Sequence, residues 1–357
     1  VVAVKTLQAS QGVHDPATAV GGILSRRALE ELGIAVNVKH ENVVRTFEVV
    51  VETDRRCYVV MEACSVDLLS MIQTHTATHG TCMDDGVLDG YFAQLVRGVQ
   101  YLHSIGVAHR DLKLDNVCVT EQGVVKIVDF GCATLFRRRV HRHNHPCQQQ
   151  QLRQEPEHEH EQARRGSTGR QQPRAASRAR AAPYSVTRPR HQAVPPALAP
   201  AADSGLYVET LSSGICGSDP YMAPELFSSS QYVAAKADIW ALGIIYFAMR
   251  HLQFPWSVAQ AARDARFKAF SDDPGAFFDT WFPETRSCTW SSQSRFLATH
   301  RLVAAADSGK QGCQQQKQQK QPALQARAII DRILEPNPAI RTDIDGIMAD
   351  QWFRSIG

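Results

Sequence analysis

His109-Arg110-Asp111-Leu112-Lys113-Leu114-Asp115-Asn116, followed thirteen residues after Asn116 by Asp129-Phe130-Gly131, is the stretch from which the rest of the chain can be read. Between the two motifs, Val117–Thr120 and Val124–Val128 read as short β-branched strands around a Glu-Gln-Gly turn. A hairpin there would bring two polar loops to one place. The loops hold two carboxylates, an amide and an ammonium. Phosphoryl transfer from a nucleotide asks for such a set, because it needs little covalent help from protein. One carboxylate must face the attacking hydroxyl, for which Asp111 is the candidate. A second carboxylate and an amide oxygen, Asp129 and Asn116, suit Mg²⁺. Lys113 supplies a cation for the terminal phosphate.

Working outward, Asp85 to Ser104 places Leu88, Phe92, Leu95, Val99 and Leu102 at three- and four-residue spacing, an amphipathic helix. Val1 to Leu7, Val43 to Val51 and Arg56 to Met61 read as strands, the last two joined by a charged turn at 52–55. Ser25 to Val36 and Asp67 to His75 read as helices. Downstream, Lys236 to His251 is a helix apolar enough to be buried. Ala323–Leu334 and Asp343–Trp352 read as two more, separated by Pro336 and Pro338. Strands first and helices later is an α+β pattern, a small sheet lobe followed by a larger helical one.

The net charge of +3 hides an asymmetry. Residues 137–202 hold 13 Arg and 4 Glu with no Lys or Asp, so the remainder is net negative. The basic balance therefore comes from one segment, and no nucleic-acid partner is expected from it. That segment, rich in Gln, Arg, His, Pro and Ala, has too few large apolar residues to offset its ordering entropy and is expected to be disordered. A second low-complexity insert is expected at 286–321. The cluster His141, His143, His145 and Cys147 reads as solvated rather than metal-binding. The nine cysteines form no C-x-x-C pair and read as mostly reduced, buried thiols of an intracellular protein. No apolar run is long enough to span a bilayer, Ile239 to Met249 being the longest.

The octapeptide, Asp129-Phe130-Gly131, Ala223-Pro224-Glu225, Asp238 two residues before Trp240, and Arg341 occur in an order that resembles the eukaryotic serine/threonine protein-kinase family. The resemblance implies a bilobal fold spanning 1–356, with a partial small lobe at 1–62, a hinge at 63–66 and a helical lobe at 67–356. It implies MgATP as phosphoryl donor and protein hydroxyls as acceptors. Val2-Ala3-Val4-Lys5 resembles the family's phosphate-contacting lysine strand. Glu31, rather than the adjacent Glu30, would be the partner of Lys5. Met61 would border the adenine site, with Glu62, Ala63 and Cys64 presenting backbone to it. Asp67 is a candidate for the ribose and equally for a helix N-cap. Asp111 would be the base, Lys113 the γ-phosphate contact, Asn116 and Asp129 the Mg²⁺ ligands. Ser218 in the docking segment would meet Asp111 and Lys113. Glu225 would pair with Arg341, and Asp238 would brace the catalytic loop from below. Lys113 points to serine/threonine rather than tyrosine acceptors. Arg110 suggests control by a phosphate on the activation segment, with Ser212 and Ser213 the candidates and Thr210 nearby.

A finer resemblance lies in Met61-Glu62-Ala63-Cys64-Ser65-Val66-Asp67-Leu68, in Ser213 to Tyr221 and in Phe254-Pro255-Trp256. These are similar to fungal halotolerance and nitrogen-permease-reactivator kinases, which implies a place in transporter regulation. Only four residues precede Lys5, so the expectation is a chain without the family's first two strands and glycine-rich loop, and poorly active as it stands. A pseudokinase scaffold of the same fold is the rival reading. A small-molecule kinase is disfavoured by the Ala-Pro-Glu docking segment. A cytoplasmic location, nuclear or membrane-peripheral as alternatives, is expected.

Overall fold

Hydrophobic periodicity decides most of the architecture. The computed structural model describes residues 1–8, 25–51, 56–139, 207–281 and 321–356. These all lie in one compact unit. The chain opens with β1 (Val2–Gln8), α1 (Arg26–Ala35), β2 (Thr46–Val51) and β3 (Arg56–Glu62). The three strands form an antiparallel sheet in the order β1-β3-β2, with Lys5 opposite Val59. Val43 falls outside β2 because it bridges Ile127, and Val44 N–H donates to the Ile127 carbonyl. The expected strand therefore starts three residues later than its β-branched run suggests. The charged turn at 52–55 lies outside the described residues.

Next come β4 (Val66–Asp67), α2 (Leu68–His79), α3 (Asp85–Ser104), β5 (Val107–Ala108), β6 (Val117–Val119), β7 (Val125–Ile127), β8 (Thr134–Leu135) and β9 (Arg137–Arg139). Helix α2 runs four residues beyond expectation and stops where Gly80 adopts φ +67°. Helix α3 occupies the expected range, and its five periodic residues are all buried. Strand β6 pairs with β4 and β7, forming the hairpin that the two polar loops flank.

The chain continues through β10 (Tyr207–Glu209), β11 (Ser212–Ser213), α4 (Glu225–Ser228), β12 (Gln231–Tyr232), α5 (Ala234–His251), α6 (Ala265–Asp272) and α7 (Pro274–Trp281). It closes with α8 (Gln321–Ile333), α9 (Ile344–Met348) and α10 (Gln351–Ile356). Arg137–Arg139 pair antiparallel with Tyr207–Glu209, so the expected disorder from residue 137 is corrected at its first three positions. Residues 140–206, with their histidine cluster, lie outside the described residues, as does all of the 286–321 insert but Gln321, which belongs to α8. The single helix expected over Asp343–Trp352 is two. Asp343 caps the first, and Asp350 Oδ1 accepts from Trp352 N–H to start the second.

Helix α5 is buried along nearly its whole length. On one side it meets α3, where Asp89 accepts from Tyr246 Oη (2.9 Å) and Arg250 Nη1 (3.0 Å). Burial pushes the Asp89 carboxyl above its ordinary value, with Arg250 and Tyr246 opposing. On another side Trp240, Trp256, Phe267 and Phe270 form an aromatic cluster. On a third, Gly243 lets α8 approach. A Cβ there would sit 2.7 Å from both Ile333 Cγ2 and Leu334 Cδ2. Gly243→Ala is therefore expected to overpack the interface and destabilise the fold by about 1–3 kcal/mol, read by denaturant unfolding.

Candidate active site

Asp238, projecting from α5, is 1% exposed and fully engaged. Its Oδ2 accepts from His109 N–H (2.8 Å) and lies 2.9 Å from His103 Nε2. Its Oδ1 accepts from Arg110 N–H (2.7 Å). These bonds hold Arg110 at φ +66°, a left-handed backbone that costs about 1–3 kcal/mol in a non-glycine residue. The loop is thereby aimed just before Asp111.

Around Asp111 the expected side chains converge. Lys113 Nζ lies 3.1 Å from Asp111 Oδ2 and donates to Ser218 Oγ at 3.1 Å. Ser218 Oγ donates to Asp111 Oδ1 (3.3 Å). Asn116 Nδ2 donates to the Asp111 carbonyl (2.9 Å) and to Oδ2 (3.1 Å), so the amide nitrogen faces Asp111.

On the other loop Asp129 also has a left-handed backbone, φ +65°. Its Oδ1 accepts from Lys5 Nζ (2.7 Å) and from Gly131 N–H (3.2 Å). Burial opposes ionisation of Asp129, but the Lys5 hydrogen bond and charge outweigh it and hold the carboxyl below its ordinary value. Lys5 also donates to Glu31 Oε1 at 2.6 Å. Burial disfavours its charge, yet the two carboxylates more than compensate and its pKa is raised. Of the adjacent pair Glu30 and Glu31, the latter is the one that meets Lys5, because helix α1 turns residues 27 and 31 to the same side. Behind the loop, Phe130 packs against His109 with ring centroids 5.5 Å apart.

Along the strip expected to face adenine, Met61 packs partly buried against the core. Glu62 N–H donates to the Arg45 carbonyl (2.8 Å), and its carboxylate pairs with Lys126 (3.0 Å). The Cys64 and Cys118 thiols hydrogen-bond, drawing Cys64 below and pushing Cys118 above the ordinary thiol value. Asp67 is the N-cap of α2. Its Oδ1 accepts from Ser70 N–H (2.8 Å) and its Oδ2 from Ser70 Oγ (2.7 Å), the capping role of its two readings.

At the far side of the docking segment Glu225 and Arg341 pair through two hydrogen bonds, 2.7 and 2.9 Å. Arg110, expected to await a phosphate, donates from Nε (3.0 Å) and Nη2 (2.6 Å) to Tyr232 Oη. Its Nη2 also reaches the carbonyls of Ser213 (3.2 Å) and Gly214 (3.3 Å). Ser212 and Ser213 form β11 beside it, and Thr210 Oγ1 donates to the Leu135 carbonyl.

Sequence reading missed four participants. Tyr232, His103 and Lys126 belong to no motif. Arg27 donates from Nε to the Gly131 carbonyl (2.8 Å) and from Nη2 to the sulfurs of Cys132 and Cys216 (both 3.1 Å). Those two sulfurs form a disulfide, an exception to the expectation of mostly reduced thiols. Cys57, Cys64 and Cys118 are free thiols. Cys132 follows Asp129-Phe130-Gly131, and Cys216 lies in the docking segment two residues before Ser218.

The donor set suits MgATP. Asp129 and Asn116 offer hard oxygen ligands, and Mg²⁺ is ordinarily held by one or two such groups together with phosphates and water. Among the described residues no cluster of three or more His, Cys, Asp or Glu forms an all-protein metal cage.

A small antiparallel sheet, a helix carrying a glutamate to the sheet lysine, and two motif loops braced by a buried helix define a protein kinase domain. The chain belongs to that family, whose model matches residues 1–153 and 202–353. The chain is similar to the nitrogen permease reactivator protein of Saccharomyces cerevisiae, 28% identical over 346 residues, covering 93% of this chain and 33% of that protein. It is also similar to the serine/threonine-protein kinase PRR2 of the same yeast, 27% identical, covering 93% and 36%. The serine/threonine-protein kinase hal4 of Schizosaccharomyces pombe is 26% identical, covering 93% and 36%. The fungal group expected from the hinge and docking segments is thus the group matched. The chain spans about a third of the length of these relatives. Among the described residues no helix is long and apolar enough to cross a membrane.

Proposed function

We propose that this chain transfers the γ-phosphoryl group of MgATP to serine or threonine hydroxyls of proteins. The observation that carries the reading is the meeting of Asp111, Lys113, Asn116 and Ser218 within hydrogen-bond distance. Asp111 accepts the proton of the incoming hydroxyl and aims its oxygen. Lys113, tied to Ser218, neutralises charge at the transferring group and limits the space to a short side chain. Asp129 and the Asn116 amide oxygen would hold the magnesium, which when bound would supply charge neutralisation on the phosphates. Lys5, fixed by Glu31, contacts the remaining phosphates. Residues 1–62 serve as the smaller lobe, 63–66 as the hinge and 67–356 as the larger lobe.

By the name of one relative, a nitrogen permease reactivator, we assign the protein to control of a membrane permease from the cytoplasmic side. The test is transfer of labelled phosphate from MgATP to peptides differing only in serine, threonine or tyrosine. Label on serine and threonine is expected. Label on tyrosine alone, or MgATP binding with no label on any peptide, would defeat the reading.

Ser213 or Ser212 is the regulatory site that Arg110 implies, since its guanidinium already donates to the Ser213 carbonyl in β11. A phosphate there would compete with Tyr232 for Arg110. The Ser212→Ala, Ser213→Ala double variant is expected to lose about tenfold in activity of the phosphorylated enzyme, measured by peptide kinetics. Equal activity would remove both serines from consideration.

A further inference from the structure

We propose that Cys132 and Cys216 are a reversible redox modification site, closed by hydroperoxides and opened by thiols, that fastens the docking segment to the Asp129-Phe130-Gly131 loop. The two residues are 84 positions apart in sequence, yet each adjoins a different half of the site. Cys132 follows Gly131, whose N–H holds Asp129. Cys216 precedes Gly217, where a Cβ would lie 3.0 Å from the Arg110 carbonyl and 3.8 Å from Asp111 Oδ1. Ser218 then bonds Asp111 and Lys113. With the disulfide closed, the segment that seats the acceptor is linked covalently to the segment that holds the metal ligand.

Two features suit the pair to exchange rather than to permanent closure. Both cysteines are only partly buried, so small oxidants and thiols can reach them. Arg27 donates to both sulfurs from an exposed position, placing a fixed cation where negative charge develops on sulfur during attack and departure. The same helix carries Glu31 one turn later, so a single face of α1 holds the nucleotide lysine and the sulfur pair.

Closure balances as follows. One thiolate attacks an oxygen of hydrogen peroxide, the O–O bond breaks, and the departing hydroxide takes up the thiol proton as water. The resulting sulfenic acid is attacked by the second sulfur. The S–S bond forms, the S–O bond breaks, and a second water leaves with the second thiol proton. Two thiols and one peroxide give one disulfide and two waters, with two electrons passing from sulfur to oxygen. Opening by a dithiol such as dithiothreitol reverses the oxidation state, the reagent leaving as its own cyclic disulfide.

The test uses the full chain reduced with dithiothreitol, then treated with equimolar hydrogen peroxide, alkylated and digested without reductant. Mass spectrometry is expected to find one peptide joining Cys132 to Cys216, lost on renewed reduction and regained on reoxidation. Arg27→Ala is expected to slow closure about tenfold, the worth of one hydrogen bond to a charged group. Linkage to other cysteines, or oxidation to sulfinic acid without linkage, would overturn the proposal. This arm needs no turnover, so it stands or fails apart from the kinase reading. The regulatory half rests on that reading. The reduced enzyme is expected to show a peptide KM about tenfold higher with unchanged MgATP affinity, and Cys132→Ser is expected to behave as reduced in either state. Equal peptide KM in both states would overturn the regulatory half.

Discussion

Asp111→Asn is expected to lower kcat by about 10²–10⁴-fold while leaving MgATP affinity little changed. The substitution preserves side-chain shape but removes the group able to take the hydroxyl proton. The neighbours would remain. Lys113 and Ser218 still bond each other, and Asn116 keeps its bond to the backbone carbonyl at residue 111. Lys5, Glu31 and Asp129 form a separate set of contacts, so the nucleotide side of the site is untouched. Steady-state kinetics with a serine peptide, beside nucleotide binding by calorimetry, separates the two effects. Wild-type turnover in the variant would show that Asp111 is not the base. Loss of nucleotide binding together with turnover would show that its role is architectural.

The second large effect concerns stability. Arg341→Ala is expected to cost about 3–5 kcal/mol and to lower the thermal midpoint by roughly 10 °C. The side chains of Arg341 and Glu225 are 0% and 5% exposed. All five guanidinium N–H groups have a partner. Besides the two bonds to Glu225, Nε donates to the Glu335 carbonyl (2.8 Å), Nη1 to Lys236 (2.8 Å) and Nη2 to Pro336 (3.2 Å). The guanidinium also lies 5.0 Å from the centroid of the Trp240 ring. Truncation would leave the buried Glu225 carboxylate without its partner. Arg341→Lys is expected to recover only part of the loss, since one ammonium cannot reproduce a planar fork. A shift of less than 1 kcal/mol in chemical denaturation would contradict this account.

What could be read beforehand follows physical lines. Helix α3 was legible because five apolar residues, Leu88 to Leu102, repeat over about four turns and it faces the core on one side. The catalytic residues were legible because their chemistry requires particular side chains close together in sequence. The choice of Glu31 over Glu30 came from the family resemblance rather than from periodicity, and the Lys5–Glu31 bond agrees with it. The break between α9 and α10 turns on one side-chain cap at Asp350, too local for a periodic pattern to register. Tyr232, Arg27 and the Cys132–Cys216 bond were hidden for a different reason. Each acts across a long stretch of chain, and no spacing rule connects residues joined only by tertiary structure. Asp67 had two readings of equal standing, of which its bonds to Ser70 show the capping one.

The pairing of β9 with β10 has a consequence for the history of the chain. Arg139 and Tyr207 stand opposite each other, so residues 140–206 leave and re-enter the domain at points roughly 5 Å apart. Such a doorway admits extra sequence of almost any length, because each doubling adds only about 0.6 kcal/mol of closure entropy. Evolution can lengthen, shorten or excise what hangs there without disturbing the catalytic machinery on either side, and a short linker grafted across the gap should serve as well.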